Sequence, residues 1–270
     1  MSDSDDPTER YLPALLAGDL AGLTAGFAGE PLLDDPLAGH VAGAPAFERF
    51  AAEKRAWLEE RGARLQTLRT TRNAQRTVVE NLLHLTLPGS AAGLPTVASL
   101  PAAVSLPVAV VGVPRADGRL TAIRVYHSLW PLIGAHWVRP ALLPPDPGQH
   151  VAGIVMDYQR ALAVGDVAAI VDTFEPDGYF REPAGGDYIY QGTLRLRAFM
   201  TQILSAGGIT LEHCTVTDDG VACALEFNAV AFGQKPLTPQ AGVAVYERGA
   251  SGRLHAARIY DDVNVEALVG

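Results

Sequence analysis

Cysteine is almost missing from this chain: Cys214 and Cys223 are the only two among 270 residues. Two thiols cannot staple a small extracellular scaffold, so stability has to come from buried apolar surface. They flank TDDG at 217–220, a hairpin-turn signal that puts them on adjacent strands. A turn centred on Asp218 and Asp219 sets them opposite each other, and one centred on Asp219 and Gly220 offsets them. Buried structural thiols are the expectation. Basic residues are also scarce, 21 Lys and Arg against 30 Asp and Glu, giving a formal charge of −9. Nucleic-acid affinity rests on cations that displace counterions, so a nucleic-acid partner is excluded. The start, MSDSDDPTER, lacks a basic segment followed by an apolar run, so the expected compartment is the cytoplasm. Residues 81–114 carry no formal charge, but Pro88, Pro95, Pro101, Pro107 and Pro114 break the stretch into pieces too short to span a membrane as a helix.

What the chain does have is itself, twice. Tyr11, Ala14, Leu15, Gly18, Asp19, Phe27, Asp35, Pro36 and Gly39 match Tyr158, Ala161, Leu162, Gly165, Asp166, Phe174, Glu182, Pro183 and Gly186, each pair 147 positions apart. Gly43 and Phe50 match Gly192 and Phe199 after a two-residue slip. GRLTAIRVY at 118–126 matches GRLHAARIY at 252–260, now 134 apart. Ordered matches whose offset changes only where a loop can lengthen are the mark of a duplicated domain. Each unit of about 135 residues, in a chain that is 48% hydrophobic, can build its own core. The expected division is 1–139 for the first repeat, 140–148 for a Pro-rich linker and 149–270 for the second.

Within each unit, the pattern predicts two helices followed by a run of antiparallel strands, an α+β unit whose curved sheet wraps around its helices. Helices are expected over 10–27 and 44–61, and again from Tyr158 to about Phe174 and over 194–206. The long Pro/Gly-rich loop at 88–107 has no counterpart in the second repeat, and its length suits a lid over the first pocket.

The run YxxALxxGDxxxIVxxFxxDxxFxEPxGGxxxxxG, from Tyr158 to Gly192, closely resembles the start of ketosteroid isomerases and SnoaL-like polyketide cyclases, in the NTF2-like superfamily. The first repeat resembles it more loosely, through Tyr11, AGDL, Phe27, DDPLAG and Gly43. The GRLxAxRxY ending is similar to the last strand of SnoaL-like proteins. The resemblance implies two NTF2-like cones. In ketosteroid isomerases the acid before proline is the general base and the first-helix tyrosine donates to the developing enolate, a pattern that also serves as a standard worked case of pKa tuning. Those roles would fall on Glu182 and Tyr158, and by repeat equivalence on Asp35 and Tyr11. The physics agrees: desolvation raises a carboxylate's basicity, and a phenol stabilises charge appearing on a carbonyl oxygen.

The chain departs from the family at the second oxyanion donor. Where ketosteroid isomerases carry a protonated aspartate, the second repeat has Gly242, Val243 or Ala244, and the first is equally apolar around Val110 and Val111. The resemblance to SnoaL-like cyclases makes Asp261 and its equivalent His127 candidates for proton transfer. Asp262, Ser128, Asp187, Tyr188 and Tyr190 are further polar candidates. Each has a plainer reading: strand-end polar residues for Asp261 and His127, a backbone-bonded helix tyrosine for Tyr158, and a carboxylate paired with Arg181 or facing water for Glu182. Asp19 and Asp166 read as helix caps, and Arg124 and Arg258 as ion-pair partners. The seven histidines show no metal-ligand spacing, and no phosphate-loop or nucleophile motif occurs, so neither metal nor cofactor is expected.

Three functions follow from these residues. One is a cofactor-independent isomerase or cyclase, moving a proton next to a carbonyl of an apolar polyketide- or steroid-like molecule. Another is an epoxide hydrolase or epoxide-opening cyclase of polyether type, which needs two acids converging in one pocket where the isomerase needs one base facing one phenol. The third is a non-catalytic binding or scaffold protein. The expected partner is a hydrophobic small molecule. The two halves are expected to pack as an intramolecular pseudo-dimer, with room for further homo-oligomerisation.

Overall fold

The computed structural model describes residues 6–87, 103–186 and 188–262, which fall into two units divided between Ala135 and His136. Most of the 88–107 loop, and Asp187, lie outside the described residues. In the first unit, α1 (Pro7–Ala17) and α2 (Leu20–Ala25) lead into the hairpin β1 (Leu32–Asp35) and β2 (Gly39–Ala42). There follow α3 (Ala44–Glu60), β3 (Arg64–Arg72), β4 (Thr77–Thr86), β5 (Ala103–Pro114), β6 (Leu120–Tyr126) and the single turn α4 (Trp130–Ile133). The second unit repeats the plan with α5 (Ile154–Val164), α6 (Val167–Asp172), β7 (Phe174–Arg181), β8 (Ile189–Gln191), α7 (Thr193–Ile203), β9 (Ile209–Asp218), β10 (Ala222–Phe232), β11 (Lys235–Arg248) and β12 (Leu254–Ile259).

The strand order is β2-β1-β6-β5-β4-β3 in one sheet and β8-β7-β12-β11-β10-β9 in the other, the same order shifted by six strands. In each, the first strand joins the last in parallel (β1 with β6, β7 with β12) and every other pairing is antiparallel. The fold is therefore α+β, with two units of the same plan, each a six-stranded mixed sheet with its helices.

The first helix of each unit is shorter than the periodicity predicts. Instead of running to Phe27 and Phe174, α1 and α5 stop at Gly18 and Gly165, both left-handed at φ 73°, a conformation glycine adopts without a Cβ penalty. Asp19 and Asp166 then cap new helices, accepting from Gly22 N at 2.8 Å and Ala169 N at 3.0 Å. An apolar face continuous through a Gly-Asp break looks like one helix in sequence. Phe174 consequently opens β7, and its ring meets Tyr158 edge-on at 5.9 Å.

Residues 140–148 run against the second unit's strands. Pro140 bridges Gln240, Ala141 N donates to Pro239 O at 3.0 Å, Asn228 Nδ2 donates to Leu143 O at 3.0 Å, and Asp146 N donates to His213 O at 2.8 Å. Both cysteines are buried thiols, and Cys214 Sγ lies 3.7 Å from Leu143 O. Cys223 pairs with Asp218 across the hairpin, so the two thiols are offset. Burial pushes the Cys223 thiol up to about 12, helped by the Asp218 charge, so it stays protonated.

Candidate functional site

Side chains on a strand alternate between faces, so residues two apart share one. On β10, Cys223, Leu225, Phe227 and Ala229 belong to the second unit's core, as do Ala244 and Tyr246 on β11 and Ala257 on β12, packed with Ile259. Continuing the same parity, Gly242 and Asp261 fall on that face too. Opposite them, α5 contributes Tyr158 and Leu162, α7 contributes Phe199 and Ile203, and Glu182 follows the end of β7. These helix residues and Glu182, with Phe227, Ala229, Tyr246, Ile259 and Asp261 from the sheet face, line a cavity of about 110 Å³, together with Phe180, Ile209, Leu211, Phe232 and Gln240. The wall is nearly all hydrocarbon, and three of the sequence candidates, Tyr158, Glu182 and Asp261, share it.

Glu182 is half-buried. Burial raises its carboxyl above the usual range, against the Tyr190 hydroxyl and the charge of nearby His136, which pull it down. Tyr190 Oη donates to Glu182 Oε1 at 2.6 Å, and its ring stacks on Phe199 with centroids 3.9 Å apart. The carboxylate is thus bound by a phenol rather than by its neighbour Arg181, whose guanidinium lies over the Tyr260 ring at 4.7 Å. Tyr158 is 1% exposed and burial holds its hydroxyl well above the usual phenol range, so it is a neutral donor at any working pH. Its ring lies 5.2 Å from that of Tyr246, whose hydroxyl accepts from Gln159 Nε2 at 2.6 Å.

The Asp261 carboxyl also lines the cavity. Burial and the adjacent charge of Asp262 push it well above the usual range, outweighing the backbone N–H groups of Asp261 and Val243. Its Oδ1 atom is sealed from solvent and has no hydrogen-bond partner. Its neighbour Asp262 is turned elsewhere, accepting from Trp137 N at 3.0 Å and approaching His136 Nδ1 at 3.4 Å.

The first unit gathers the equivalent residues and closes around them. Tyr11, Asp35 and His127 meet Lys54, Trp57, Leu106 and Val108 about a space of roughly 10 Å³, no more than one water's worth. Asp35, 1% exposed, receives Lys54 Nζ at 3.2 Å and the N–H groups of Leu37 and Ala38 at 2.9 and 3.1 Å. Burial pushes its carboxyl up, but Lys54, His127 and those two N–H groups prevail and hold it below the usual range. It is an ion-paired carboxylate and a poor base. Tyr11 is fully buried, with a hydroxyl that has no partner.

Sequence reading missed Tyr246, Gln240 and Lys54, and named Tyr190 only as one polar residue among several. No motif marks them, although the hairpin of β7 with β8, which pairs Phe180 with Tyr190, places Tyr190 beside Glu182. Arg258 does serve an ion pair, donating to Glu247 Oε2 at 2.8 Å and to Tyr179 Oη at 3.1 Å. Among the described residues, Glu175, Asp177 and His255 bring potential metal-ligand atoms within 4.8 Å of one another. Glu175 is already engaged there, accepting from Ser251 N at 3.1 Å and Ser251 Oγ at 2.8 Å.

No match to the chain was found among curated proteins. Similar solved structures include a putative polyketide cyclase from Xanthomonas campestris pv. campestris, 23% identical, covering 47% of this chain and 92% of that one at a TM-score of 0.37. A protein with a ketosteroid isomerase-like fold from Catenulispora acidiphila is 15% identical over 48% and 92%, also at 0.37. The epoxide hydrolase/cyclase-like enzyme SalBIII, described in pyran ring formation in the polyether salinomycin, is 25% identical over 40% and 86%, at 0.33. At these scores the likenesses decide nothing about chemistry. The family model for the SnoaL-like domain matches residues 155–256, a span running from α5 into β12 and holding Tyr158, Glu182 and Tyr246. The match to the SnoaL-like domain thus lies within the second unit, whose strand order the first unit repeats.

Proposed function

We propose that the second unit is a general acid–base catalyst that moves a proton next to a carbonyl of an apolar small molecule. The observation that supports this most is Glu182, a carboxylate with raised basicity opening into the same hydrocarbon-walled cavity as the neutral phenol of Tyr158. Glu182 takes a proton from the carbon beside the carbonyl, and the C–H electron pair moves into the new enolate. Tyr158 donates a hydrogen bond to the oxygen that gains charge. Glu182 then returns the proton at the same or a conjugated carbon, so no cofactor is needed. The cavity is close in size to the apolar hole of about 150 Å³ that admits benzene, so one ring, or the reacting end of a longer molecule, is what it takes.

One observation favours the epoxide reading: a second acid, Asp261, lines the same cavity as Glu182. A protonated Asp261 gives its proton to an epoxide oxygen as the C–O bond breaks, while Glu182 removes the proton of the attacking hydroxyl or water. Two probes separate these reactions. Deuterium exchange into 2-cyclohexenone, followed by NMR in D2O, reports enolisation, and hydrolysis of cyclohexene oxide reports ring opening. Glu182→Gln is expected to abolish whichever activity the parent shows. Unchanged turnover in that variant would refute Glu182 as the base, and neither activity in the parent would leave a binding protein.

A further inference from the structure

Gly242 faces Phe227 on β10, which in turn faces His213 on β9. On its other side, the register that pairs Ala244 with Ile259 sets Gly242 opposite Asp261. One row across the inner face therefore reads His213, Phe227, Gly242, Asp261, with the smallest residue between an aromatic ring and a carboxyl. A β-carbon at Gly242 would lie 2.5 Å from Asp261 Cγ and 2.6 Å from each of its oxygens, contacts that real side chains do not make. The carboxyl occupies the room that the glycine leaves.

The first unit offers a comparison. Its register pairs Ala109 with Tyr126, which sets Val108 opposite His127, and Val108 faces Asn81 on β4. Gly242 and Val108 are 134 positions apart, as are Asp261 and His127, the same offset as the closing strands. Where the row has valine, the enclosed space shrinks to about 10 Å³; where it has glycine, about 110 Å³ is open.

We infer that Gly242 is the positioning residue of the second unit's cavity, seating the Asp261 carboxyl so that Asp261 and Tyr158 together hold the oxygen of a one-ring-wide enol, phenol or enolate. The Asp261 side chain is only partly buried and lines that cavity, so a ligand held there can meet its carboxyl, while Oδ1, turned away from solvent, is left without a partner. A carboxylic acid there donates a hydrogen bond without bringing a second negative charge beside the oxyanion. Phe180, Phe199 and Phe227 supply the walls for the ring. The inference rests on the proposed acid–base reading for its chemistry, yet it concerns binding and so can fail separately.

The test uses 4-nitrophenol, a single ring whose ionised oxygen absorbs visibly, titrated against the full-length chain by difference absorbance. The parent is expected to bind it saturably and to shift its ionisation. Gly242→Val should abolish binding and Gly242→Ala should weaken it about tenfold or more, the effect of losing a hydrogen bond to a charged group. Asp261→Ala should match Gly242→Ala, whereas Asp261→Asn, which keeps a neutral donor in place, should stay within about threefold of the parent. Gly242→Ser in the Asp261→Ala background should return part of the lost affinity, because its hydroxyl enters the vacated space. Circular dichroism and thermal melts identify a variant that has simply unfolded, and the Asp261 pair then carries the decision. No saturable binding by the parent, or Asp261→Asn as weak as Asp261→Ala, or parent-like binding by a folded Gly242→Val, would each overturn the inference. Because the readout is binding, it does not pass through proton transfer by Glu182, so a failure here and a failure of the base assignment are separate results.

Discussion

Tyr190 Oη lies 2.6 Å from Glu182 Oε1 and donates to it, while the same ring lies against Phe199. The hydroxyl stabilises the ionised carboxylate against the burial that raises its pKa. Tyr190→Phe keeps the ring stack and deletes the donor. The Glu182 pKa should rise further, and the acidic limb of the pH–rate profile should move to higher pH with little change on the plateau. An unmoved limb would show that Tyr190 only packs.

Both Glu182 and Asp261 have folded-state pKa values raised above the ordinary carboxylate range. The folded state therefore binds their protons more tightly than the unfolded state does. Their stabilising protonation is fully present below the unfolded pKa values of about 4, and is lost as pH rises through the folded ones. Glu182→Gln and Asp261→Asn should accordingly leave stability nearly unchanged near pH 4 and raise it at pH 8. Denaturant unfolding at the two pH values measures this, and equal effects at both would contradict it.

In the first unit the sign reverses. Asp35 is held below its usual range, so it adds stability above the unfolded pKa of about 3.9, and that stability is lost as pH falls through the folded value. The Lys54 side chain is 12% exposed and that of Asp35 only 1%, so little water can replace the partner. Lys54→Met should cost about 3–5 kcal/mol, the usual result of leaving a buried charge unpaired. Replacing both, as Asp35→Leu with Lys54→Met, should recover much of that loss. A melting temperature unmoved by the single change would place the pair's weight elsewhere.

The fold was legible because its signals are local and occur twice: the Gly-Asp breaks, the acid before proline and the GRLxAxRxY strands recur at constant offsets. What sequence blurred was whether apolar periodicity continues through Gly18–Asp19 and Gly165–Asp166, because the same face stays buried on both sides of the break. The site was half legible. Tyr158, Glu182 and Asp261 stand out as chemistry-bearing residue types, and the structure places all three on one cavity. Tyr11, Asp35 and His127 also come together, but Lys54 and Trp57 join them from α3, and nothing local in sequence shows that a lysine there neutralises the base. Gly242 was visible only as the place where a donor is missing. Its meaning comes from cross-strand register, which sets Asp261 beside it although 19 positions separate them in sequence.

The contrast between Gly242 and Val108 gives a last expectation. Val108 is 1% exposed and packs in the first unit's core, so Val108→Gly removes three buried carbons and loosens a central strand. The change should cost about 2–4 kcal/mol, the lower range for large-to-small core substitutions plus the intrinsic cost of glycine in a strand. It should not by itself create a second 4-nitrophenol site. Lys54 stands where the second unit has Ile203, Leu106 where it has Gln240, and the Lys54–Asp35 ion pair still spans the space. Glycine in this row is therefore expected not to be sufficient for an open cavity. Binding stoichiometry measures the difference: one site per chain is expected in both parent and variant, and two sites in the variant would mean that Val108 alone keeps the first unit shut.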